Sequence, residues 1–456
     1  MGSLAQYILL YNDNRRDIDA HSAPVLNAMR PAALDALAGK ELPEKGTESY
    51  EKTSVDRMFA PDYGVNINRV NIPVDVAASF KCDVPNMSTL MAFVVNDTFV
   101  PSSSLHLKLP AGVIVDSLSR AAKDYPELVA AYYGKTAPME DTAVALNTLL
   151  VQDGVFVYIP RGVKLEKPLQ LVNIFNSPAD MLAVRRMLIV IEDDAEAQLL
   201  VCDHTQDSAH RYLSSQVIEL TVGRNARFDL YDIEESTAKT SRYSRLFARQ
   251  ESGSNLLVNG MTLVGGCTRN GYDIDIMGEG CETLLAGMAI GSGEQHTDNC
   301  SNVNHRAPHC HSRQLFKYVL DDRSTGAFEG SILVTPAARF TEAYQSNRNL
   351  LASSDARMHT KPQLEIYNDD VKCSHGATTG QLDAQALFYM RTRGVSEKEA
   401  RMMLMQAFMV DVIDAVRMPG LCDRLRHLVE KRFYGQQTLC ADCGVTAVTQ
   451  ATDNSE

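Results

Sequence analysis

The spacing of apolar positions changes twice along this chain, and each change marks a boundary. Residues 1–150 read as a mostly helical region with a short β segment. In Ala23–Leu37 apolar residues recur three and four apart, with Pro31 placed to open a new helix, and helical pattern returns over about Val115–Leu150. Between them, Leu90–Val100 reads as a hairpin around Asn96-Asp97. From Asp153-Gly154 the pattern shortens. Residues 151–379 form a succession of β-rich runs, among them Val155–Ile159, Leu169–Ile174, Met187–Ile191, Gln198–Val201, Val217–Val222 and Arg227–Tyr231. Helical spacing resumes over residues 380–435. A helix over Asp383–Gly394 ends in a glycine suited to a C-cap, and Ser396-Glu-Lys-Glu399 is a capping box opening a second helix. Met418-Pro-Gly420 breaks that helix and Leu421–Phe433 makes a third, leaving residues 436–456 as a loose polar tail.

Within the β-rich region a short unit recurs, made of a turn residue, a small residue, a polar residue and an apolar one. It stands at Asp194–Ala197, Asn225–Phe228, Gly253–Leu256, Gly280–Thr283 and Asp355–Met358. The first four units lie 31, 28 and 27 residues apart (194→225→253→280), a near-fixed period with turn chemistry at each corner. That pattern predicts a β-solenoid, because one coil cannot bury its inward face alone whereas stacked coils share an interior. The predicted fold class is therefore mainly β, a β-solenoid core flanked by helical N- and C-terminal regions. Those helices are expected to cover the strand edges at the two open ends. A β-sandwich would show a hairpin turn every 8–12 residues, and few are found.

Composition narrows the function. The 456 residues are 45% hydrophobic, enough for an extended core, and the formal net charge is −13. With no dense Lys/Arg run interleaved with aromatics, no nucleic acid partner is expected. Apolar runs such as Met187–Ile191 are too short to span a bilayer, and Met1–Gln6 lacks the layout of a secretory signal. The expectation is a cytoplasmic protein without a membrane partner. Most of the ten cysteines are scattered singly and are read as buried thiols. Gly291-Ser-Gly293 lacks the Lys-Ser/Thr ending of a phosphate-binding loop, so any ATP hydrolysis is expected in another subunit.

The segment richest in chemistry runs from Lys361 to Asp383. Cys373 and His375 stand two apart in an extended stretch, so both side chains share one face, with Lys372 and Ser374 on the other. A thiolate beside an imidazole suits iron or an iron–sulfur unit, while a buried thiol next to a hydrogen-bonded histidine fits the same spacing. His305, His309, Cys310 and His311 fall within seven residues, a grouping read as polar packing more readily than as a closed zinc site. Cys440-Ala-Asp-Cys443 has no second pair to complete a metal site. Asp229, Asp232, Asp273 and Asp275 could line a solenoid wall as the acids of a carbohydrate-active enzyme.

Three stretches taken together resemble the SufB/SufD family of iron–sulfur cluster assembly scaffold proteins: Asn347–Leu351, Ala356–Asp383 and Ala386–Gly394. Support comes from Gln152–Pro160, Glu166–Leu169, Ser312–Lys317 and Gly326–Gly330. Glu41-Leu-Pro43 and Glu48–Lys52 resemble the family's N-terminal motif, with Tyr50 where a Trp is usual. His375-Gly-Ala377, preceded by Lys-Cys-Ser, is similar to the SufD type, since SufB-type chains carry His-Glu-Ala there.

The resemblance implies a right-handed parallel β-helix and a scaffold that is not itself an enzyme. It implies pairing with a SufB-like paralogue through the β-helices and binding of a SufC-like ABC-type ATPase through the C-terminal helices. A transient iron–sulfur cluster would form at the shared interface, with His375 as ligand or accessory group, Cys373 as its neighbour, and sulfur acceptance left to the paralogue. Asp383, Phe388, Tyr389, Arg391, Arg393 and Gly394 are the partner-binding positions it implies. No tightly bound cofactor is expected; flavin, cluster type and a possible homodimer of the isolated chain are left open. The alternatives are the carbohydrate-active enzyme and a structural homodimer without metal chemistry.

Overall fold

The computed structural model describes residues 2–72, 88–101, 105, 108–206 and 209–434. From Val155 onward the chain climbs a two-walled β-solenoid, each coil giving one strand to each wall. One wall stacks Val155–Ile159, Met181–Ile191, Tyr212–Val222, Thr240–Gln250, Cys267–Ile276, His296–His305, Thr325–Val334 and Arg357–Ile366. The other stacks Leu169–Phe175, Glu196–Thr205, Arg227–Glu235, Asn255–Val264, Glu282–Gly291, His311–Leu320, Glu342–Leu351 and Lys372–Gln381. Neighbours in each wall pair in parallel, as sequential coils must.

The recurring unit marks one corner of this solenoid. Registers of Glu196↔Arg227, Arg227↔Asn255 and Asn255↔Glu282 reproduce the spacings of 31, 28 and 27 residues. At each such corner one residue takes left-handed backbone: Gly162, Asp194, Asn225, Gly253, Gly280, His309 and Phe340. Glycine, asparagine and aspartate tolerate that conformation best, which is why the unit shows in the sequence. The N–H of each donates to the coil above, as in Asp194 to the Arg224 carbonyl (2.8 Å) and Phe340 to that of Asp370 (2.7 Å). Asp355–Met358 departs from the expectation. It turns the opposite corner, after Glu342–Leu351, where Asp322 and Gly293 are the left-handed residues one and two coils below.

The interior is divided. Toward the first corner it is apolar, built from inward residues such as Ile189, Leu220, Phe228, Ile274 and Leu285. Toward the other it carries buried charge: Arg185 meets Asp203 at 3.2 Å, Arg242 lies 3.6 Å from Asp203 and also pairs with Asp232, and Thr268 donates to Glu234 at 2.8 Å. Burial pushes the Glu234 carboxyl up to about 7, against the pull of Arg242.

The helices do not cover both ends as predicted. N-terminal helices, including Leu4–Ala20, Arg30–Leu37 and Thr142–Leu150, pack Tyr7, Tyr11, Leu146 and Leu149 onto outward residues Leu182, Val184, Leu213 and Tyr243 of the first wall. Helices Glu397–Ile413 and Pro419–Phe433 lay Met405, Met409, Leu421 and Leu425 along the outer face of the second, against Tyr231, Leu257, Met288 and Leu315. An outward apolar stripe on each wall is a larger hydrophobic surface than a strand edge, and the amphipathic helices go there. At the N-terminal end the hairpin forms as expected: Leu90–Val95 and Thr98–Val100 turn at Asn96 and pair antiparallel, and Leu90–Val95 pairs in parallel with Leu169–Phe175. The C-terminal end has no such cover among the described residues.

Candidate functional site

Arg357–Ile366 and Lys372–Gln381 are the terminal strands of the two walls. Neither contains a fully buried residue. One coil below, inward residues Ala343, Gln345, Asn347 and Asn349 are all buried. Pairing sets Cys373 over Ala343 and His375 over Gln345, so the last strand continues the inward columns without a further coil to close them.

Alternation thus places Cys373 and His375 on one face as expected, but in different surroundings. Cys373 is half-buried and packs with Leu364 and Val371 over Ile332, Val334, Ala338 and Ala343. Burial raises its thiol pKa, so at neutral pH it is a thiol and not a poised thiolate. His375 is exposed. Beneath it lies a column of amides: Ser301 Oγ donates to Gln314 Oε1 at 2.7 Å, and Gln345 Nε2 donates to the same oxygen at 3.1 Å. Among the described residues no three His, Cys, Asp or Glu side chains converge as a metal-ligand set. Cys373 and His375 can supply two donors, so a bound iron unit would need the rest from another molecule.

Comparison with known proteins gives the family. Residues 173–408 match the family model described as the SUF system FeS cluster assembly, SufBD core domain, and residues 1–171 match the SufBD protein N-terminal region. The chain belongs to the SufBD family. It is 29% identical over 416 residues to an iron–sulfur cluster assembly SufBD family protein of Synechocystis, covering 90% of this chain and 91% of that one. It is 28% identical to the iron–sulfur cluster assembly protein SufD of Escherichia coli, over 64% of this chain and 69% of the relative. SufD of Bacillus subtilis is 26% identical, over 70% of this chain and 74% of its own length. The SufD homologues support a role in iron–sulfur cluster assembly.

In this SufBD chain the six positions expected from the resemblance to meet a partner lie on or beside helix Ala384–Thr392, which buries none of its residues. Asp383 caps its N-terminus, accepting from Gln385 N (2.8 Å) and Ala386 N (3.3 Å), and Gly394 ends it with a φ of +89°. Arg391 pairs with Glu397 of the next helix at 3.2 Å, and Arg393 lies over the Tyr389 ring. Phe388 and Tyr389 are 70% and 58% exposed. Asp383, Gly394 and Arg391 therefore shape and tether the helix, and two exposed aromatics stand on it, Tyr389 with Arg393 against its ring.

The other sequence candidates disperse. His305 is buried, its Nε2 2.7 Å from Ser312 Oγ, and burial lowers its pKa to about 4. His309 turns a corner and stacks on Phe340. Cys310 is buried and donates to the Gly278 carbonyl, while His311 is exposed near Glu342. Cys440 and Cys443 lie outside the described residues, as does the tail beyond Tyr434. The four aspartates each meet an arginine: Asp229 with Arg417, Asp232 with Arg242, Asp273 with Arg245, Asp275 with Arg306. They form no acid pair in a cleft.

Sequence reasoning missed how the N-terminal motif is used. Tyr50 lies under Arg269, with its hydroxyl 3.2 Å from those of Tyr243 and the guanidinium of Arg245. Glu51 then reaches Lys361 in the last coil at 2.9 Å. It also missed the amide column, whose signal was available: Gln314, Gln345 and His375 continue the coil spacing at 31 and 30 residues.

Proposed function

We propose that this chain is a non-ATPase scaffold subunit of the SUF assembly complex, docking a SufB-like paralogue on the open end of its solenoid. The observation that carries this reading is the last coil, which presents His375 on an inward column that none of the described residues closes. Terminal strands offer unpaired N–H and C=O groups, and a partner strand satisfies them by extending the sheet. Such docking would bring the partner's ligands over His375 and Cys373, the two metal donors that share the inward face of the last strand.

The iron–sulfur cluster is cargo in this scheme. Two donors on one subunit hold it only while the other subunit contributes, which suits a cluster that must be handed on. His375 would bind iron through a neutral ring nitrogen. Cys373 must lose its proton to ligate, which its raised pKa opposes until a bound metal ion draws the proton off. We assign the SufC-like ABC-type ATPase to helix Ala384–Thr392, because a nine-residue helix with no buried residue gains little from its own chain and offers Phe388 and Tyr389 to another. The compartment would be the reducing cytoplasm, where Cys373 stays unpaired.

The test is reconstitution of the full chain with its SufB-like and ATPase subunits. His375→Ala should leave the three subunits co-eluting and remove most of the cluster absorbance. Phe388→Ala with Tyr389→Ala should release the ATPase and spare the paralogue. Full cluster absorbance in the His375→Ala complex would sink the proposal.

A further inference from the structure

We propose that Gln345 is a positioning residue for His375, its side-chain oxygen accepting a ring N–H so that the other nitrogen points out of the open end. The inference rests on the reading of His375 given above and adds what orients it. Gln345 is 3% exposed, and its Oε1 is buried without a hydrogen-bond partner. A buried carbonyl oxygen left unpaired costs free energy, so such atoms are uncommon and call for a donor.

The amide is fixed from its other side. Its Nε2 donates to Gln314 Oε1, which also accepts from Ser301 Oγ, so the two amides and the hydroxyl form one buried column whose unpartnered atoms are Gln345 Oε1 and Gln314 Nε2. Across the interior, Gly330 leaves the space the amide fills, since a Cβ there would collide with Nε2. The residue registered directly above Gln345 is His375, one rung further out and on the same inward column. Imidazole carries a donor at one nitrogen and an acceptor at the other when neutral, so an acceptor below selects which nitrogen keeps the lone pair. Metal-binding histidines are held in this way by a carbonyl or carboxylate on the far nitrogen. Gln345 is the only residue of that column able to do so from beneath, Ala343 and Asn347 being registered to Cys373 and Ala377.

The experiment uses the full chain labelled with 15N-histidine, with the His375 signals identified by their loss in His375→Ala. In the wild type the two ring nitrogens should report one dominant neutral tautomer. Gln345→Leu should move both shifts to those of an unconstrained histidine, and should cut cluster yield in the reconstituted complex by about tenfold. Gln345→Glu keeps an acceptor at the same place, so it should restore a fixed ring orientation and most of the yield. Unchanged His375 shifts in both Gln345 variants would overturn the inference. Full cluster yield in His375→Ala would instead overturn the functional reading, with the ring shifts still deciding the role of Gln345.

Discussion

The coil formed by Cys267–Ile276 and Glu282–Gly291 and the last coil, Arg357–Ile366 with Lys372–Gln381, share one path, one corner and one alternation of inward and outward residues. In the first, Tyr272, Ile274, Ile276 and Leu285 are sealed inside. In the last, the inward positions are at most half-buried. Orientation alone does not bury a side chain in a solenoid; the coil above it does. Chemistry can therefore be placed on an inward column without a cavity, provided the column stops, and residues carrying stability and residues carrying function separate along the axis.

The largest effect that would break this contrast lies in the sealed part. Glu219, 1% exposed, is pinned by Arg186 at 2.6 Å and by the N–H groups of Gly134 (2.9 Å) and Thr136 (3.1 Å), fastening the N-terminal layer to its wall. Burial raises its pKa, but the Arg186 charge and those N–H donors outweigh this and hold it below the ordinary range. Glu219→Ala should lower unfolding free energy by about 3–5 kcal/mol at neutral pH, measured by urea titration, because Arg186 is left buried and unpaired. A depressed carboxyl stabilises above the unfolded pKa and loses that contribution as pH falls, so the penalty should shrink in acid. A loss no larger than that of a surface substitution would remove the distinction between the two regions.

A second test is opposite in sign. Glu234 titrates near 7 in the fold and near 4.5 when unfolded, so folding weakens as pH rises between those values. Glu234→Gln should stabilise by roughly 3 kcal/mol at pH 8 and by almost nothing at pH 4. Denaturant midpoints at the two pH values check it. An equal shift at both would show that shape and not charge matters there.

Much of this was legible in the sequence because left-handed corners select for Gly, Asn and Asp. Asp194, Asn225, Gly253 and Gly280 revealed the period. His309 and Phe340 turn the same corner without that chemistry, held by the coil above, so the rhythm was lost just before the functional end. Alternation showed that Cys373 and His375 share a face, but not that one is covered and the other bare, since that depends on where the described coils stop. Amphipathic spacing identified the C-terminal helices without saying which surface they would choose. The ion pairs of Arg185, Asp203, Arg242 and Asp232 join four separate strands, and no local pattern carries them.

Smaller effects sharpen the comparison at the open end. Cys373→Ser puts a hydroxyl against Leu364 and Ala343 in a cluster that is only partly sealed, and should cost about 1 kcal/mol. Thermal unfolding of the isolated chain measures it. A cost of several kcal/mol would mean that this coil is packed as tightly as those beneath.

The smallest stability effect belongs to the residue with the largest proposed functional one. His375 is exposed on the terminal strand, and its proposed bond to Gln345 lies at the open edge, where water can take the place of the ring. His375→Ala should leave unfolding free energy within about 0.5 kcal/mol of the wild type, as surface substitutions do. Amide hydrogen exchange adds a second readout: Lys372–Gln381 should exchange faster than Glu342–Leu351 in the isolated chain and slow when the SufB-like partner is added. If His375→Ala instead destabilised the chain as a core truncation does, the ring would be closing the solenoid as its cap. The open end would then be a packing device, and a partner would have nothing there to complete.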